Sequence, residues 1–197
     1  MNSDPDSDGE DGDDFDPEQV AEYRRKMLAA PIKDGKAVLE ELIGQRKEEA
    51  EEDEMDWKEE ILGEMEGGYD NCRFASYWNS DNNMTYPLIL AKIPVKNPWE
   101  IFAYLPFGNW NECPDTPELM AVAKYWFEQY GAVPAAMTHD ELEFLLPAPV
   151  PEEKAMEVAT EQYGFCPDVV DQGPEDATAG TLADSLRQSN VWYFWWD

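Results

Sequence analysis

Residues 116–146, TPELMAVAKYWFEQYGAVPAAMTHDELEFLL, hold both a helical and a strand period in one stretch. Thr116-Pro117-Glu118 caps and opens a helix, because proline at a first helical position already has a helical φ and no N–H to leave unpaired. Met120, Val122, Ala123, Trp126 and Phe127 then supply its apolar face, and Gly131 stops it in a left-handed cap. Beyond the glycine, Ala132–Met137 and Glu141–Leu146 read as short strands. The pattern predicts an α+β fold, with a small mixed or antiparallel sheet and packed helices.

Working outward, Pro151-Glu152 opens another helix to Tyr163, where Gly164 is expected to stop it. A short helix over 181–188 precedes a final strand, Val191–Trp196. Upstream, Tyr86–Pro94 and Trp99–Leu105 read as strands, being rich in aliphatic and aromatic residues. The two longer helices both end in Glu-Gln-Tyr-Gly, at 128–131 and 161–164. A weak repeat and convergent helix-stop chemistry account for this equally well.

The N-terminal third is an acidic helical region. Asp16-Pro17-Glu18-Gln19 reads as an N-cap, a first-turn proline and a capping-box Gln, followed by Val20, Tyr23, Met27 and Leu28 at helical spacing. A second helix follows Asp34 with Val38, Leu39, Leu42 and Ile43 on one face, and Trp57, Ile61, Leu62 and Met65 form a third stripe ending at Gly67-Gly68. The expected organisation is a disordered acidic tail over 1–15, the helical region over 16–68 and the α+β domain over 69–197. Within the tail, Asp4-x-Asp6-x-Asp8-Gly9 opens like a calcium loop, but its twelfth position is Phe15 where a bidentate Glu is needed.

Charge narrows the function classes. Forty-four acidic residues oppose fourteen basic ones, a net of −30. Residues 1–70 hold 25 acidic and 8 basic residues and residues 71–197 hold 19 and 6, so neither part is neutral. Such a surface repels nucleic acid and anionic lipid and attracts basic protein surfaces; its blander role is solubility. The densest run, Glu48-Glu49-Ala50-Glu51-Glu52-Asp53-Glu54-Met55-Asp56, has seven carboxylates in nine residues. As a helix it is about 13 Å long, or one charge per ~2 Å, close to the ~1.7 Å of duplex DNA. Its like-charge i,i+4 pairs oppose an isolated helix by about 1 kcal/mol, so it is either a solvated connector or a helix stabilised by a basic partner.

The C-terminal two-thirds resembles the bacterial family known as domain of unknown function 4253, over about residues 86–197. The resembling stretches are Pro87–Ile93, Leu105–Pro114, Tyr125–Gly131, Asp140–Glu143, Cys166–Gly173 and Trp192–Asp197. The resemblance implies an α+β domain of bacterial or mobile-element origin and brings no assigned chemistry.

The catalytic candidates are thin. His139-Asp140 is the one place where a base sits beside an orienting carboxylate, but sequence neighbours on a strand face opposite sides. Cys113 and Cys166 both precede proline, which favours extended backbone and keeps them off helix N-termini, where thiolates are best stabilised. Cys72 adds an odd third thiol, and the three with His139 match no zinc spacing. Glu141 and Glu143 share one strand face and fit a solvent-facing alternation with Leu142 and Phe144 inside. Trp110, Asn111, Asp168, Asp171 and Gln172 form the most suggestive polar-aromatic set, beside Trp195 and Trp196, with core packing and loop capping as the plainer account.

The expectation is therefore a cytoplasmic, non-enzymatic acidic binder without cofactor or metal. It occupies a basic surface of a target protein, which suits an anti-defence nucleic-acid mimic or an immunity protein. Glu48, Glu49, Glu51, Glu52, Asp53, Glu54 and Asp56 would meet the partner's basic groups, with Trp57 and Ile61 as apolar contacts. No apolar stretch reaches the ~18 residues of a membrane span, and the start lacks the basic and apolar regions of a secretory signal. The alternative is a small-ligand or enzymatic site around Trp110, Asn111, His139 and Asp168.

Overall fold

The computed structural model describes residues 16–79, 82–174 and 176–197. The expected tail and its incomplete calcium-loop pattern lie outside these residues. The fold is α+β. Helix α1 (Pro17–Ala29) starts where Asp16 accepts the Glu18 N–H at 2.9 Å. Helix α2 (Gly35–Glu52) starts where Asp34 accepts the N–H groups of Lys36 and Ala37. A π-helical turn (Trp57–Leu62) follows, capped in the same way by Asp56. In each case a short carboxylate satisfies donors that the helix itself leaves unpaired.

After a minimal hairpin, β1 (Trp78–Asn79) with β2 (Met84–Thr85), the chain departs from the strand reading of 86–105. Residues 86–94 have no regular structure, and 98–104 form a 3₁₀ turn (Pro98–Glu100) running into α3 (Ile101–Tyr104). The buried residues Trp99, Phe102 and Ala103 recur at three and four, a helical spacing, and Pro98 sits at the first helical position. Pro87 and Pro94 remove ladder donors from the upstream segment.

Helix α4 (Thr116–Tyr130) is capped not by Thr116 but by Asp115, whose carboxylate accepts the Glu118 N–H, and it ends at Gly131, whose φ of +70° is the left-handed cap. The antiparallel sheet has strand order β3-β4-β5, from β3 (Val133–Met137), β4 (Glu141–Leu145) and β5 (Val191–Trp195). Helices α5 (Glu152–Phe165), α6 (Asp168–Asp171) and α7 (Ala179–Leu186) fill the connection from β4 to β5. Gly164 does not stop α5, which continues through it to Phe165.

Trp126 of α4 is the centre of the core. Its ring meets Phe165 edge-on at 5.0 Å and Trp192 at 5.3 Å, and it stacks on Phe194 at 5.6 Å. Val38 and Leu39 of α2 belong to this same core, so Gly67-Gly68 marks a change of sequence pattern and not a boundary of packing. Among the described residues no helix is long and apolar enough to cross a membrane.

Candidate functional site

Two regions hold the candidate residues. The first is the acidic corner where α2 ends. Glu48, Glu49, Glu51 and Glu52 ride the last turns of α2, and Asp53 follows as its cap. Glu54, with φ +59°, then reverses the chain before Asp56. The run is therefore helix and then turn, not one continuous rod. All seven carboxylate residues are exposed while Ala50 between them is buried. Beneath the corner, Ala50, Ile61, Tyr163 and Val170 form a small second core, with Trp57 packed against it 6.2 Å from the Tyr163 ring. Ile61 is thus no outward contact for a partner; its apolar surface is spent inside the chain. Trp57 is half-buried, with the Lys47 ammonium 5.4 Å from its ring centre.

Arg46 holds the corner to the rest of the protein. Its guanidinium reaches Glu49 at 2.9 Å and Glu112 at 2.7 Å, joining α2 to the loop before α4. Among the described residues, Glu48, Glu51, Glu52, Asp53 and Glu54 make no ion pair, so their charge faces solvent uncompensated.

The second region is the end of β5. Asn111 donates to the Asp197 carbonyl and Asp168 accepts the Asp197 N–H at 3.0 Å. His139 is 88% exposed and lies stacked on Trp110, ring centres 5.7 Å apart and 9° from parallel. Its Nδ1 is 3.1 Å from Asp140, so sequence neighbours do meet here, on a turn and not along a strand. Asp140 also accepts from the Thr138 hydroxyl at 2.9 Å and from the Trp195 indole at 3.2 Å. Burial pushes the Asp140 carboxyl up, but the hydrogen bonds from Thr138, Trp195 and His139 outweigh it and hold the group below its usual range.

Trp110, Asn111, His139 and Asp168 are thus linked through the last residues of the chain, but they do not converge on one cavity. Asn111 lines a cleft with Cys113 and Glu112, whereas Asp168 lines a different cavity with Gln172 and Trp195. Asp171 is exposed and hydrogen-bonds the Tyr163 hydroxyl. Burial drives the Cys113 and Cys166 thiols up and out of the thiolate range, and Cys166 donates to the Trp195 carbonyl at 3.1 Å. Neither thiol is built as a nucleophile.

Glu143 corrects the solvent-facing reading of its strand. It points to the outer face as the alternation demands, yet it is fully buried, because residues 74–77 fold over it. Its carboxylate accepts the N–H groups of Ala75 at 2.7 Å and Ser76 at 3.1 Å, and the Ser76 hydroxyl. Glu161, which sequence reasoning passed over, is buried under the Tyr125 hydroxyl and the Trp126 indole, each at 3.0 Å. Burial raises its carboxyl above the usual range despite both donors.

Residues 89–197 match the family described as domain of unknown function DUF4253. That is more than half of the chain, and the protein belongs to this family. No curated protein matches the chain, and no solved structure does.

Proposed function

We propose that this DUF4253 protein is a non-enzymatic acidic binder that occupies a basic surface on a target protein. The observation that carries the reading is the corner at the end of α2, where seven exposed carboxylate residues cap a packed substructure. An ordered charge array loses less conformational entropy on binding than a flexible tail. Its uncompensated charges speed encounter with a basic partner. The surface suits a protein that displaces nucleic acid from its binder, as an anti-defence mimic does, or one that neutralises a basic toxin, as an immunity protein does; both settings are cytoplasmic. Trp57 at the rim adds apolar area. Asn111 and Asp168 gather at the end of β5 with His139 nearby, but line different cavities, and this favours binding over catalysis.

Affinity purification of the full chain from its native host, with elution by rising salt, tests the proposal. A basic partner should release as salt rises, and a variant with Glu51, Glu52, Asp53 and Glu54 changed to their amides should release it earlier. Retention indifferent to salt would count decisively against the proposal.

A further inference from the structure

Between the outer face of β5 and helices α5, α6 and α7 lies a cavity of about 200 Å³. It is closed further by the strap Gly68–Asn71, held across α7 and the loop after it by side-chain acceptors. Gly68 N–H donates to Asp184 at 2.8 Å, Tyr69 N–H to Ser185 at 3.1 Å and Asn71 N–H to Ser189 at 2.7 Å. Taking about 30 Å³ per water, the space equals roughly six or seven waters. It therefore suits a compact ligand of a few heavy atoms and not a peptide.

The walls specify the ligand's chemistry. Asp168 is the one charged side chain lining the cavity among the described residues, and no Lys or Arg opposes it. Tyr69, Tyr193 and Trp195 contribute aromatic surface. A carboxylate with aromatic walls favours an organic cation, which is attracted to the ring faces and the charge together. The protein's net charge of −30 enriches cations and repels anions at its surface.

We infer that the cavity beside Asp168 is a binding site for a small organic cation, its ammonium against Asp168 and the aromatic walls. This goes beyond the acidic corner and does not depend on it.

Calorimetric titration of the full chain with four probes of similar size is decisive. Choline should bind saturably. Its neutral carbon isostere 3,3-dimethylbutanol should bind at least about tenfold more weakly, since it loses the cation's attraction to the rings and to Asp168. Tetramethylammonium and ethanolamine, which carry the same charge, should both compete with it. Asp168→Asn should weaken choline about tenfold. Because Asp168 also accepts the Asp197 N–H, Tyr69→Ala is a second variant; Tyr69 is 68% exposed, so its loss leaves the core intact. That variant should weaken choline with little change in unfolding midpoint. Absence of choline binding, equal binding of choline and its neutral isostere, or undiminished binding by both variants overturns the site. Failure of tetramethylammonium to compete with choline overturns the cation as the group recognised.

Discussion

At position 143 a carboxylate with no exposure takes three donors from one short stretch of chain. Alternation along β4 was legible and placed Glu143 on the outer face; what covers that face lies 67 or 68 residues away and leaves no local trace. Glu143→Ala should cost about 3 kcal/mol, since the donors of Ala75 and Ser76 lose a charged acceptor. A fall in the urea midpoint at unchanged m value measures this. Glu161 has a different consequence. Burial, the dominant influence, raises its folded-state pKa above the ordinary 4.5, so the folded protein holds this proton more tightly than the unfolded chain does. Its contribution to stability therefore declines as pH rises from about 4.5 through the raised value, and recovers as pH falls back. Unfolding midpoints across that window should fall with pH less steeply in Glu161→Gln than in the native chain. An unchanged slope would remove Glu161 as the cause.

The two Glu-Gln-Tyr-Gly endings look alike in sequence and do different work as elements. Gly131 ends α4 because its φ of +70° is one that residues with a Cβ adopt at a cost. Gly164 sits inside α5, where a Cβ would lie 2.7 Å from Cγ1 of Ile43 on α2. The second glycine serves helix packing, which local pattern does not record. Gly131→Ala should cost about 1 kcal/mol through backbone strain. Gly164→Ala should cost about 2 kcal/mol through overpacking. Ile43→Ala should relieve part of the cost at 164 and none at 131, and a double-mutant cycle by chemical denaturation separates the two. Elements with an Asp cap or a first-turn proline, such as α1, α2 and α4, were readable because those signals act within a few residues. The segment 86–105 misled because apolar content suggests strand, whereas Pro87, Pro94 and Pro98 decide the backbone.

For the whole molecule, charge and core pull in opposite directions. Forty-four carboxylate residues against fourteen cations repel one another in the compact state more than in the expanded one. Raising ionic strength from about 0.01 M to about 0.15 M shortens the screening length from about 30 Å to about 8 Å, so the thermal midpoint should rise over that range. The composition made this charge plain, but not which part of the chain the charged corner is built upon. Helix α2 carries the corner on one end and places Val38 and Leu39 in the core around Trp126 on the other. The N-terminal third is accordingly not a detachable binding arm. A chain of residues 69–197 would expose the core surface that α2 covers and lose Ala50 and Ile61 from the second core. It should show a weakened near-ultraviolet signal, bind apolar dyes and lack a cooperative transition. A chain beginning at Asp16 retains every contact described and should unfold cooperatively. A cooperatively folded 69–197 fragment would instead make residues 16–68 an appendage, and the acidic corner would have to be weighed as a separate module.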